Sequence, residues 1–310
     1  MARAVGITER GGPEVLAVVD RDVREPGEGE VRVAVRAAAV NPTDVGLREL
    51  GTPDLPPPWV PGMDAAGTVE SVGPGVRRLR VGDEVMAVVS PRRPEGGAQS
   101  ELLVVPEASV VPIPEGASLP QAATLPMNGL TALLGLELLG LRPGDVLAVT
   151  GGAGLLASYV IPLAKRAELV VVADAKPEDE ELVRGFGADH VVPRGDGFVQ
   201  AVREHAPDGA DGLYDTALLH ERVFGAIRDG GGMVVVRGWR PERTERGITV
   251  HQVMVGEALT HTDWLERLRE LASSGRLRLR VAGEYPPERA AEAHRLMEAG
   301  GLRGRAVITF

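Results

Sequence analysis

Residues 150–157 read TGGAGLLA, directly behind the apolar run DVLAVT. From Gly152 onward this fits G-x-G-x-x-G/A. Gly152 permits a tight turn, Gly154 keeps a Cβ away from a pyrophosphate, and Ala157 lets a following helix pack closely on the preceding strand. A helix starting there offers free N–H groups and the positive end of its dipole to phosphate. Thr150, Gly151, Gly152, Ala153, Gly154, Leu155 and Leu156 are therefore expected to line a dinucleotide. Asp174 follows Gly154 by twenty residues, at the end of the run LVVVAD. A carboxylate at that place accepts hydrogen bonds from ribose hydroxyls and repels a 2′-phosphate. Lys176 is the one cation in the acidic stretch AKPEDEE, so the charge favours NADH over NADPH. The competing reading makes Asp174 a cap for a helix starting near Pro177.

Other reactive groups are scarce. The chain has no cysteine, which removes disulfides and thiolate metal sites and suits a reducing cytoplasm. Its histidines, at 190, 205, 220, 251, 261 and 294, have no carboxylate at a suggestive spacing and are expected to be structural or on the surface. Asp64 and Asp83 fall in the turn-like PGMD and VGDE and are expected to serve the fold. No general acid stands out, so a reduction here would draw its proton from water. A net charge of −10 argues against a nucleic-acid backbone as partner. No apolar run approaches the roughly 18 residues of a membrane span. The N-terminal MARAVGITERGG lacks the apolar stretch of a secretory signal.

The elements that must hold these residues fall into three textures. Short β-rich runs fill the first hundred residues: 3–7, 31–40, 66–72, 84–88 and 101–105, separated by glycine and proline. They suggest a barrel-like β domain. Residues 118–139 are apolar and helix-prone, interrupted at MNG. From residue 145 strands (146–150, 169–173, 190–192, 212–215, 232–237) alternate with helices (155–165, 177–186, 198–205, 221–228). That alternation predicts a parallel, doubly wound sheet. Pro162 falls inside the first of these helices, where it is expected to kink or break it. An edge strand over 248–255, helices over 262–273 and 287–299 and a strand over 306–310 complete the chain.

The chain resembles the zinc-independent medium-chain dehydrogenase/reductase superfamily, in its quinone oxidoreductase (ζ-crystallin-like) branch. The residues that carry this are AAAVNPTDVGLRE (37–49), VPGMDAAGTVESVGPGVRRLRVGDEVMA (60–87), the segment 96–132, the glycine loop, GFGADHVV (185–192), DGLYDT (211–216) and the ending 290–310. The resemblance implies an α/β chain with a central Rossmann domain (119–255) and a GroES-like β domain built from both ends (1–118 and 256–310). Relatives that use zinc carry a cysteine near 41 and a His-Glu pair near 63–64. Here Asn41, Met63 and Asp64 stand there, so no metal site is expected. The loop departs from the branch's usual AAGGVG, with Leu155 and Leu156 in place of smaller residues. Asp179 stands where NADPH users often have lysine.

The resemblance implies direct hydride transfer from NAD(P)H to a quinone or an α,β-unsaturated carbonyl. It places Asn41 and Asp44 near the substrate or nicotinamide ribose, their alternative being an Asx-Pro turn that caps a helix. It also places Thr131 and Gly238 on the nicotinamide side, their alternatives being a helix-packing threonine and a strand-ending glycine, and Thr216 and Arg237 are expected among the cofactor-binding residues. Two further functions stay open: a nucleotide-binding sensor or structural protein with little turnover, and an enoyl-thioester reductase served by the basic residues Arg237, Arg240 and Arg243. The alternating apolar run ITVHQVMV (248–255) is an edge expected to pair in a homodimer.

Overall fold

Valine, a strand-favouring residue, recurs between glycine- and proline-rich turns through the first hundred residues, and these runs fold as strands. The computed structural model describes residues 1–310. The chain opens with β1 (Ala2–Ile7), β2 (Leu16–Arg21), β3 (Glu30–Ala39), α1 (Pro42–Leu50), β4 (Asp64–Val72), β5 (Glu84–Val88), β6 (Leu102–Pro106) and β7 (Val110–Pro112). There follow α2 (Leu119–Ala122), α3 (Pro126–Leu139), β8 (Val146–Thr150), α4 (Ala157–Arg166), β9 (Val170–Ala175), α5 (Glu180–Arg184), β10 (His190–Pro193), α6 (Phe198–His205), β11 (Ala210–Asp215) and β12 (Ile227–Val235). The chain ends with β13 (Thr249–Gln252), α7 (Thr262–Ser273), β14 (Val281–Tyr285), α8 (Ala290–Ala299) and β15 (Arg305–Thr309).

These elements make two units, one of residues 1–127 and 256–310, the other of 128–255. The first changeover lies inside α3 rather than ahead of the helical segment. In the first unit a mixed sheet runs β14-β15-β3-β4-β5-β7, with β6 also on β3. The long β3 pairs with β4 along one edge and with two strands along the other: residues 30–34 pair with β6 and 37–39 with β15, which ties the C-terminus into the N-terminal sheet. Inward side chains of Val31, Val33, Val35, Val69, Val85 and Leu103 form its core.

The second unit is a six-stranded parallel sheet, β10-β9-β8-β11-β12-β13. The strand order reverses direction between β8 and β11, the point at which doubly wound sheets hold ligands beyond their strand ends.

Several local expectations change. The break in the helical segment falls at 123–125, not at MNG. Pro126 takes the first position of α3, where its missing N–H costs nothing, and Asn128 and Gly129 lie within the helix. Pro162 leaves α4 unbroken over ten residues. The lost bond costs about 3 kcal/mol, but Tyr159, Val160, Ile161 and Leu163 are all buried, and each such side chain gains about 1.5–3 kcal/mol. The helix expected over 221–228 is a 3-10 segment, His220–Ala226, because Ile227 is drawn into β12 against Ala210. Residues 119–139 do pass for a membrane span by length and mean hydropathy (1.3), contrary to the reading of the sequence. The stretch is 72% buried within the protein, as a core helix is.

Candidate functional site

Two polar centres stand out, one in each unit. In the parallel sheet, Thr150 ends β8 and Asp215 ends β11, paired in register at the switch point. The Thr150 hydroxyl donates to Asp215 Oδ1 (2.7 Å) and accepts from the Ala217 N–H (3.1 Å). The Thr216 hydroxyl donates to the Thr150 carbonyl (2.6 Å), and the His220 N–H to Asp215 Oδ2 (2.7 Å). The two strand ends are thus stitched together under the glycine loop.

Gly151 turns the loop with φ +67°, which favours glycine. A Cβ on Gly152 would run into the Asp174 carbonyl, so only glycine lets the loop cross β9 this closely. The Gly154 N–H closes onto the Gly151 carbonyl (2.8 Å). Leu155 is buried and Leu156 half-buried ahead of α4. The N–H groups of Leu155, Leu156 and Ala157 take no partner within the chain, as the first turn of a helix leaves them. That is a donor set suited to phosphate oxygens. The bulk of Leu155 therefore packs inward while its N–H stays available.

Asp174 is 1% exposed. Its Oδ1 accepts the Gly152 N–H (2.9 Å), while Oδ2 is buried with no partner. Burial raises its pKa and the loop N–H groups pull it back. Its side chain caps the glycine loop, not the segment after Pro177. An orphaned acceptor beside a glycine cradle fits the ribose end of a dinucleotide. Lys176 is exposed, 3.9 Å from Glu178. Beyond β12, Arg237 and Gly238 both take positive φ (62° and 71°), and the Gly238 carbonyl accepts from Gln252 Nε2 (2.9 Å). Thr131 is buried in α3, and its carbonyl accepts the Tyr214 hydroxyl (2.6 Å).

The second centre lies in the β-rich unit and gathers residues from four elements. Asn41 precedes α1, and its N–H donates to Asp44 Oδ2 (2.8 Å); Asp44 Oδ1 takes the Gly62 N–H (2.9 Å). Asn41 Nδ2 donates to Asp64 Oδ2 (2.6 Å), Asp64 Oδ1 takes the Met127 N–H (2.6 Å), and Arg305 Nε donates to Asn41 Oδ1 (3.0 Å). Asn41, Asp44 and Asp64 are all 0% exposed. This is the helix-capping geometry for Asn41 and Asp44, with no contact from either to solvent. Burial pushes Asp44 up to about 6 and Asp64 up to about 7, against the pull of their N–H donors and Arg305.

Asp64 and Arg305 hold this centre together, and no spacing in the sequence flagged either. Asp64 sits in a turn-like motif, and Arg305 comes from the far end of the chain. The donors at 41, 63 and 64 are a carboxamide, a thioether and a carboxylate whose oxygens already serve N–H groups, a poor fit to a tetrahedral zinc site.

Comparison with known proteins shows which family the chain resembles along its length. The family profile described as alcohol dehydrogenase GroES-like domain matches residues 27–115, and that described as zinc-binding dehydrogenase matches 186–308. The chain is 32% identical over 312 residues to the NADPH-dependent alkenal/one oxidoreductase, chloroplastic, of Arabidopsis thaliana, covering 97% of this chain and 78% of that protein. It is 27% identical to the quinone oxidoreductase of Rattus norvegicus, over 99% and 98% of the two chains. The crystal structure of an NAD-dependent alcohol dehydrogenase superposes with a TM-score of 0.84 at 31% identity, covering 99% of each chain.

Proposed function

The chain belongs to the quinone oxidoreductase branch of the medium-chain dehydrogenase/reductase superfamily, and from that premise we propose that it passes hydride from NAD(P)H to a quinone or an α,β-unsaturated carbonyl without zinc. The observation that carries this reading is the glycine loop at the switch point, with three unpartnered N–H groups and the orphaned Asp174 Oδ2 beside it. A bound nicotinamide supplies the hydride.

The chain's own residues bind and orient. The Leu155, Leu156 and Ala157 N–H groups take pyrophosphate oxygens, and Asp174 Oδ2 takes a ribose hydroxyl. Thr150 and Thr216 brace the loop from below, and the Arg237–Gly238 turn and Thr131 form the nicotinamide side. Asn41 and Asp44 act from within the fold, holding the NPTD turn in shape. Such acceptors need no Lewis acid, and alignment with hydrogen bonding to the developing oxyanion suffices. A cytoplasmic setting suits a chain with no cysteine to oxidise.

Asp174 also favours NADH, whose ribose carries two hydroxyls where NADPH has a phosphate. Fluorescence titration with both nucleotides tests this, with tighter NADH binding expected. Tighter NADPH binding would overturn the role given to Asp174, and no binding of either would overturn the loop reading. Oxidation of the bound nucleotide by 1,4-benzoquinone, 9,10-phenanthrenequinone or a simple enone is then expected. Binding with no turnover on any of them would leave a nucleotide-binding protein instead. We also propose a homodimer formed through the edge strand β13.

A further inference from the structure

Two adjoining hollows of about 190 and 200 Å³ open on the β-rich unit, sharing Arg21, Asp22 and Pro94. In the first, Val19, Pro58, Trp59 and Val60 supply an apolar wall, and Arg21, Arg93 and Asp22 are its charged groups. Both arginines are half-buried. Arg93 spends its guanidinium on carbonyls alone, Nε to Gly96 (3.0 Å) and Nη2 to Val104 (2.7 Å). Arg21 makes no side-chain hydrogen bond or ion pair. Its Nη1 lies close enough to Gly96 that a Cβ there would stand 3.2 Å away, so both guanidiniums converge on one residue. The nearby carboxylates Glu30 and Glu95 pair directly with Arg24, and reach Arg21 and Arg93 only through their field, without a direct ion pair. Desolvation lowers the pKa of Arg21 and of Arg93.

A partly desolvated cation with no direct ion pair is under-compensated, and two side by side more so. Asp22, exposed at the rim, is the only acid lining the first hollow. We propose that this hollow binds a small organic carboxylate, its head held by Arg21 and Arg93 and its apolar body against Trp59 and Val60. A volume of about 190 Å³ suits a small acid of about the size of benzoate. Nothing in this assignment depends on the glycine loop or on the reaction proposed above.

Isothermal titration of benzoate into the full chain, without nucleotide, tests it. Saturable binding of one benzoate per chain is expected. Arg21→Met keeps the apolar stem and breaks no hydrogen bond, so it should leave the melting temperature in place while weakening benzoate at least tenfold. Asp22→Asn removes a repulsive carboxylate and should tighten binding a few-fold, a gain that general damage cannot produce. Uncharged benzamide should fail to bind. Absence of saturable binding would overturn the assignment. So would equal affinity in Arg21→Met, which puts benzoate elsewhere, or Arg21-dependent binding of inorganic phosphate with none of benzoate.

Discussion

Asp44 and Asp64 sit together in a dry cluster, and their protons are therefore linked to folding. An unfolded aspartate titrates at 3.8, whereas burial pushes Asp44 to about 6 and Asp64 to about 7. Between those limits the folded chain holds more protons than the unfolded one, so this contribution is full at low pH and is lost as pH rises through about 7. His294 works in the opposite sense. Buried and beside Arg48, it is pushed down to about 3 from 6.5, so its contribution grows as pH rises through that span. The difference between two proteins separates them. In Asp64→Asn the side chain no longer titrates, and the wild type should lose stability relative to it between pH 4 and pH 8. The full loss is on the order of 4 kcal/mol, from a rise from 3.8 to about 7 at about 1.4 kcal/mol per pKa unit. Urea midpoints across that range would check it, and parallel curves for the two proteins would refute it.

At the same scale, Asp174→Ala should weaken NADH about tenfold or more, since one charged hydrogen bond is worth about 1.5–3 kcal/mol, with little effect on NADPH. The position of Asp174 beside the glycine loop was legible because a motif and a fixed spacing set it. Asp64 was not, because its meaning comes from Arg305, Asn41 and the start of α3, which only the folded chain brings together.

Helices and strands were legible where one periodicity dominated, as over Thr262–Ser273, and less so where packing overrules local preference. Gly135 shows the difference within α3. Alanine forms helix better than glycine by about 1 kcal/mol, yet a Cβ at Gly135 would run into the Tyr214 ring and hydroxyl. Tyr214 is fully buried and its hydroxyl is bonded to the Thr131 carbonyl. Gly135→Ala should therefore destabilise the protein by about 1–3 kcal/mol, the cost of an overpacked core. An unchanged or higher denaturation midpoint would refute this packing account.

Pro162 carries the opposite sign. It withholds an N–H from the Ser158 carbonyl inside a helix held by burial, so Pro162→Ala should stabilise by about 1–2 kcal/mol after the unfolded chain's added freedom is deducted. Chemical denaturation reads both variants on one scale. A lower midpoint for Pro162→Ala would mean that the proline ring contributes packing the helix needs.

For the molecule as a whole, the parallel sheet ends at β13, which pairs with β12 on one side only. A free strand edge presents unpaired N–H and carbonyl groups, and a second copy can satisfy them. Met254 (53% exposed) follows β13, and Leu138 (37% exposed) shares a hollow with Val250 and His251, so apolar surface accompanies the edge. The alternation in ITVHQVMV made this edge legible; only the folded chain brings Leu138 beside it. Against association stands the net charge of −10 on each copy. Repulsion between like-charged copies is long-ranged at low salt and screened within about 8 Å at physiological ionic strength, whereas strand pairing and apolar contact are not weakened by salt. The dimer should therefore tighten as salt rises, the reverse of an interface held by surface ion pairs. Light scattering behind size exclusion, run at low and physiological salt, should show a concentration-dependent dimer favoured at the higher salt. Met254→Asp should shift it to monomer with the melting temperature of the monomeric form unchanged. A monomer at every concentration and salt, or a dimer indifferent to Met254→Asp, would remove β13 as the pairing edge.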